Sequence, residues 1–147
     1  MGGQKGTRSW DHPNNLFLIS LYTTQNPMFR TEHSTEERSA EAERIIQKYP
    51  DRIPIIVQKN TSSSSETLPD LAKTKFLVPD HVTFGQFLYI IRTRMSLPAE
   101  KALFIFINNT IPNASSDMKT LYDEHKDEDN FLYCFYGTES TFGGSSQ

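Results

Sequence analysis

The chain has 147 residues, enough for one domain with a true hydrophobic core, and 36% of them are hydrophobic. Mean hydropathy is -0.54, and no apolar run approaches the roughly 20 residues that a membrane helix needs, so no spanning segment is expected. The formal net charge of -3 excludes bulk nucleic-acid binding, and the single cysteine, Cys134, excludes an internal disulfide and a multi-cysteine zinc site.

Residues 1–27 mix Gly, Lys, Arg, Asn and Pro around the short run Leu16-Phe17-Leu18-Ile19, which has no clear period. They are read as a flexible N-terminal extension that is disordered, packs a short element on the domain, or precedes a start at Met28. The sequence leaves these three open. Met1-Gly2-Gly3-Gln4-Lys5-Gly6 misses the N-myristoylation pattern, because Gly6 stands where Ser or Thr is needed. No secretory leader is expected, so the Asn-x-Ser/Thr triplets at Asn60, Asn108 and Asn113 are expected to stay unmodified.

The domain proper is assigned to residues 28–137. Ser34-Thr35-Glu36-Glu37 has the form of a capping box, in which the hydroxyl and the Glu37 carboxylate satisfy orphan N–H groups reciprocally. The spacing predicts a helix to about Tyr49, with Arg38, Ala42, Ile45, Ile46 and Tyr49 on one face and Pro50 as its stop; Arg38 contributes its aliphatic stem. Residues 52–58 read as a β-branched strand whose ladder is locally open at Pro54, which has no amide donor. Residues 61–66, rich in serine, read as a mobile loop, and residues 73–79 as a second strand forming a hairpin with the first.

Thr83-Phe84-Gly85-Gln86 is a second capping box, opening a helix to about Met95 before Pro98. That helix carries two apolar stripes: Phe84, Leu88, Ile91 and Met95, and beside it Phe87 and Ile90 with Arg94. One stripe docks a helix on a sheet; the second packs elsewhere in the domain or serves as a binding surface. Residues 102–107 are continuously apolar, as expected for the middle of a sheet, and Asn108-Asn109-Thr110 turns the chain. Ser115 and Ser116 are expected to cap a short helix with Met118, Leu121 and Tyr122 inward. The acidic run from Asp123 to Asp129 lacks the spacing of a calcium loop and reads as a solvated charged turn.

Residues 131–136 are a buried strand, in which Cys134 is a packed thiol without an evident base. With four scattered histidines, nothing points to an enzyme active site, a metal or a cofactor. After Gly137 the chain turns small and polar, a flexible tail over residues 138–147 except for Phe142. An aromatic anchor followed by Gly143 and Gly144 fits a narrow enzyme channel, because glycine has no Cβ to block close backbone approach. The element order, with a helix between the second and third strands and the chain end leaving from a core strand, predicts an α+β fold of the ubiquitin-like β-grasp pattern.

Several separated blocks, Glu41-Ala42-Glu43-Arg44-Ile45, Arg52-Ile53-Pro54, Phe76-Leu77-Val78-Pro79, Thr83-Phe84-Gly85-Gln86-Phe87, Leu103-Phe104-Ile105-Phe106 and Phe131-Leu132-Tyr133, resemble in order and content the autophagy ubiquitin-like modifiers, the family that includes GABARAP. The resemblance runs from about Phe29 to Gly143, and it implies a ubiquitin-like β-grasp with additional N-terminal helices. It implies trimming by a dedicated cysteine protease at Phe142-Gly143-Gly144, with cleavage after Gly143. It also implies transfer of Gly143 through activating and conjugating enzymes to phosphatidylethanolamine, and location in the cytoplasm and, once lipidated, on autophagosomes and other cytoplasmic vesicles.

The resemblance further implies that cargo receptors and adaptors carrying an aromatic-x-x-aliphatic motif add as a strand to the edge of the second strand. It places an aromatic pocket at Glu41, Ile45, Pro54, Lys75, Leu77 and Phe131. An aliphatic pocket falls at Phe76, Val78, Pro79, Val82, Phe87, Ile90 and Arg94, and Arg52, Lys73 and Lys75 face acidic residues flanking the motif. A non-covalent ubiquitin-like module with an unprocessed tail, and a modifier joined to a protein lysine, are the alternatives.

Overall fold

A computed structural model of the protein describes residues 29–60 and 68–139. The N-terminal extension, the serine-rich loop and the Phe142-Gly143-Gly144 site lie outside the described residues. The elements in order are α1 (Phe29–Glu32), α2 (Thr35–Lys48), β1 (Arg52–Lys59), β2 (Lys75–Pro79), α3 (Phe84–Met95), β3 (Phe104–Phe106), α4 (Met118–His125) and β4 (Leu132–Gly137).

Both predicted capping boxes are present. Ser34 accepts from the Glu37 amide while Glu37 reaches back to the Ser34 amide, and Thr83 and Gln86 do the same for α3. Each box fixes where its helix starts, and hence which side chains face the sheet.

The sheet has four strands in the order β2-β1-β4-β3. β1 pairs antiparallel with β2 and parallel with β4, and β4 pairs antiparallel with β3. Alternation along the strands divides the core in two. Ile53, Ile55 and Val57 of β1, Phe76 and Val78 of β2, and Leu132, Cys134 and Tyr136 of β4 join Phe84, Phe87, Ile91 and Met95 of α3 on one face. Ile56, Leu77 and Tyr133 point the other way, into a smaller cluster with Phe29, Ala42, Ile45 and Phe131. β1 is therefore apolar at successive positions because helices cover both its faces.

Three expectations change. The run at residues 102–107 forms the sheet's edge rather than its middle, since among the described residues β3 pairs only with β4. Ile105 and Ile107 join the α3 face and Phe106 is buried as well, so continuous apolarity here reports two covered faces and not two partner strands. Ser115 and Ser116 do not cap α4; its N-cap is Asp117, without a side-chain bond. The Met118 and Lys119 amides donate instead to the Val82 and Asp80 carbonyls, leaving those donors satisfied. The acidic turn is not wholly solvated, because Asp129 has 0% exposure.

Pro54 has a place in the ladder. Val57 donates its amide to the Thr74 carbonyl, so by alternation position 54 faces the β4 side, where pairing begins only at Ile55. Past the β3 end, Asn108 and Asn109 hold φ of 51 and 65 in the two-residue turn closed by the Ile107–Thr110 bridge. Asparagine tolerates this left-handed backbone better than most residues.

Candidate functional site: the outer edge of β2

Among the described residues β2 pairs only with β1 and so forms one margin of the sheet. In the antiparallel register, Phe76 and Val78 stand opposite Ile55 and Ile53. The Val57–Thr74 bond fixes the phase, and the main-chain groups of Lys75 and Leu77 therefore point away from β1. A strand's main-chain edge is a template for another extended segment.

The side chains of β2 feed both clusters. Phe76, Leu77 and Val78 each have 0% exposure. On the α3 side, Phe76 meets Phe87 edge to face at 6.3 Å, Val82 is buried, and Ile90 and Pro79 are half-buried. Arg94 stands exposed on the helix beyond them. The helix's second stripe is thus divided: Phe87 is core, Ile90 reaches the surface, and Arg94 lies outside.

On the α2 side, Ile45, Leu77 and Phe131 pack together with Pro54 buried nearby. The Lys75 ammonium lies 2.8 Å from the Glu41 carboxylate, and both side chains are largely enclosed. Arg52 lies with its guanidinium 5.8 Å from the Tyr49 ring, while Lys73 is exposed. The residues expected of the two pockets therefore do gather along β2, with Arg52 and Lys73 as a local basic rim on an acidic protein.

Two contributions escaped the sequence reading. Phe29 of α1 stacks edge to face on Phe131 at 5.3 Å, and the Lys75 ammonium is 5.2 Å from the Phe29 ring. The only signal for it is a lone aromatic ahead of a capping box. Beside the α3 pocket opens a cleft of about 540 Å³ lined by His81, Val82, Thr83, Gly85, Gln86, Tyr89 and Ile90, with Tyr89 71% exposed. Only Val82 and Ile90 belong to the expected set.

Three features meet along β2. Half-buried Pro79 and Ile90 bring apolar surface to it, the strand has outward main-chain hydrogen-bonding groups, and Arg52 and Lys73 add positive charge. Cys134, by contrast, is enclosed on the α3 face, where burial pushes its thiol far above the usual range and keeps it protonated.

A β-grasp sheet with α3 across one face, helices α1 and α2 across the other, and β2 at its margin among the described residues defines a ubiquitin-like protein. The family described as "Autophagy protein Atg8 ubiquitin like" matches residues 37–143, and the chain belongs to this Atg8 family. Autophagy-related protein 8 of Mycosarcoma maydis is 52% identical over 115 residues, covering 78% of this chain and 95% of the relative. Autophagy-related protein 8c of Arabidopsis thaliana is 49% identical over 118 residues, covering 80% and 97%. The crystal structure of Trypanosoma brucei ATG8 superposes with a TM-score of 0.71 at 39% identity, covering 81% of this chain and 100% of that one. Plasmodium falciparum Atg8, solved in complex with a Plasmodium falciparum Atg3 peptide, superposes with a TM-score of 0.72 at 35% identity, covering 80% and 100%. As a member of this family the chain is a ubiquitin-like modifier of autophagy and not an enzyme.

Proposed function

We propose that the chain is cleaved after Gly143, carried by activating and conjugating enzymes, and joined through the Gly143 carboxyl to phosphatidylethanolamine. On autophagosomal membranes its β2 edge then gathers cargo receptors and adaptors with aromatic-x-x-aliphatic motifs. The observation that carries the docking half is that β2 is an edge strand with a separate apolar cluster on each face. The motif's two anchors, three residues apart, take the two pockets. That a solved relative is in complex with an Atg3 peptide supports peptide docking on this fold.

The conjugation half has a physical rationale. No helix among the described residues is long and apolar enough to cross a membrane. Two acyl chains at roughly 0.8 kcal/mol per buried CH₂ supply a stable anchor. Incubation with the processing protease, the two enzymes and phosphatidylethanolamine vesicles, followed by intact mass measurement, tests it. The expected product ends at Gly143 and carries one lipid, and Gly143→Ala abolishes it. A chain that keeps Ser145-Ser146-Gln147, or that ends on a lysine of another protein, refutes the lipid assignment.

Peptide titration tests the edge. Two apolar anchors at roughly 1.5 to 3 kcal/mol each, less the cost of ordering the peptide, give an affinity of about micromolar. Phe76 and Leu77 are so fully enclosed that alanine there would remove core packing. The informative change is therefore Arg52→Glu with Lys73→Glu, expected to weaken an acidic-flanked peptide about tenfold at low salt and less at high salt. Unchanged affinity would remove the basic rim from the site.

A further inference from the structure

The apolar walls assigned to the aromatic pocket are closed over. Ile45, Leu77 and Phe131 are buried, and so is Pro54 beside them, whereas on the α3 side Pro79 and Ile90 reach the surface. A ligand therefore meets one half of the β2 site open and the other shut. We propose that Lys75 is the lid of the shut half: its ammonium, held by Glu41, closes the space between β2 and α2, and an aromatic anchor enters only after that ion pair parts. This regulation rests on the reading of β2 as the peptide-binding edge.

Two periodicities put the lid there. Side chains two apart on a strand share a face, so Lys75 lies on the same face of β2 as Leu77, which belongs to the α2 cluster. Residues four apart share a face of a helix, so Glu41 stands one turn before Ile45, over the same cluster. The charged pair is thus the outer neighbour of the apolar one.

The ammonium is held from two sides. It lies 2.8 Å from the Glu41 carboxylate and 5.2 Å from the Phe29 ring, and that ring in turn meets Phe131 edge to face at 5.3 Å. The Lys75 and Glu41 side chains are 9% and 17% exposed, so the pair is far less screened than a surface bridge and keeps the lid shut in most molecules. Opening is nevertheless local. β2 is a margin of the sheet among the described residues, and the long lysine stem can carry its charged head outward into water without moving the strand.

The lid also defines what lifts it. An entering aromatic ring takes over the contact that Phe29 gives the ammonium, and a carboxylate next to that ring in the ligand takes over the part of Glu41. An aromatic anchor with an acidic neighbour is therefore favoured over the same anchor with a neutral one. Affinity is lowered by the fraction of molecules whose lid is open.

The test uses the full chain and two variants of it. Glu41→Gln keeps the shape of the side chain and removes the charge that holds the lid; Lys75→Met removes the ammonium and keeps an unbranched stem. The probes are an aromatic-x-x-aliphatic peptide with tryptophan at the aromatic position, with or without aspartate before it, and the neutral peptide with alanine in place of tryptophan. Both variants are expected to bind the neutral tryptophan peptide about tenfold faster than wild type in stopped flow, while the alanine peptide associates alike with all three proteins. The advantage conferred by aspartate is expected to shrink at least about threefold in Lys75→Met. Indole alone gives a second reading, shifting the Ile45 and Leu77 methyl resonances at about tenfold lower concentration in the variants than in wild type. Equal or slower association of the tryptophan peptide in both variants would overturn the proposal. A variant whose methyl resonances lose their dispersion would make the pair a brace of the fold and overturn it as well. Easier entry of indole in the variants, with no peptide bound by any of the three proteins, would uphold the lid and sink the peptide reading.

Discussion

Asp129 holds three parts of the chain together from a position with no exposed surface. One oxygen accepts from the Phe131 amide at 2.9 Å, the other accepts from the Tyr133 hydroxyl at 2.5 Å and lies 3.1 Å from Arg38 Nε. Arg38 in turn donates to the Arg30 carbonyl and to Thr35 Oγ1, at 3.2 and 3.1 Å. Arg30 itself pairs with Asp127 and lies 4.2 Å over the Tyr133 ring. The charge is thus shared among α1, the first turn of α2 and the start of β4. Arg38→Met leaves the buried carboxylate without its cation, though still hydrogen-bonded by Phe131 and Tyr133, and is expected to cost about 3 kcal/mol in urea unfolding. Combining it with Asp129→Asn costs less than the sum of the two single changes, because the two groups serve one interaction.

Tyr136 gives a pH signature at the same scale. Its hydroxyl donates to the Pro69 carbonyl and accepts from the Leu71 amide, pinning the segment that enters β2, and burial raises its pKa from 10.0 to about 12. Because the folded value lies above the unfolded one, this contribution is complete below pH 10 and is lost progressively as pH rises toward about 12. Thermal melts across that window are expected to fall in wild type, and Tyr136→Phe is expected to flatten the fall; an identical slope in both would refute it.

At the scale of elements, α2 and α3 are legible because their starts are written in four consecutive residues each. Ser34 with Glu37 and Thr83 with Gln86 fixed the phase of α2 and α3, and phase decided which residues became core. Thr83→Ala should therefore cost about 1 kcal/mol and lower the melting temperature by several degrees, whereas Ser115→Ala should be near neutral, since that serine caps no helix. The sheet was harder to read. Residues 102–107 and 131–136 look alike as apolar runs, yet β4 is central and β3 is marginal. Burial of faces is encoded in side chains, but pairing of edges is encoded in main-chain groups common to all residues. The same limit hid Asp129: nothing within a run of acids marks the one that meets Arg38 from ninety-odd residues away. Of the candidate site, the pocket residues followed from the resemblance, while Phe29 and the Tyr89 cleft depend on how helices sit over the sheet, which local sequence does not state.

At the scale of the molecule, the β2 edge and β4 are set apart in the sheet. β2 lies at one margin, and the strand that leads to the tail is two places away, across β1. Under the proposed function, lipid attachment at Gly143 leaves the affinity of β2 for a single-motif peptide within about twofold of its value in solution. A two-motif peptide gains from crowding on the vesicle surface. Fluorescence titration of both peptides against free and vesicle-bound protein checks this, and a several-fold drop for the single motif would show that the membrane obstructs the edge.

The interior position of β4 also determines how the molecule carries load. Under the proposed function, a cargo held on β2 and a membrane holding the tail would pull on different strands, with β1 between them. Five residues of β1 stand in parallel register with β4, from Ile55 opposite Leu132 to Lys59 opposite Tyr136. A pull along β4 strains those bonds together as shear, where a tail borne on a marginal strand would peel away one bond at a time. Under that function the β1–β4 seam is where the load between cargo and membrane would fall.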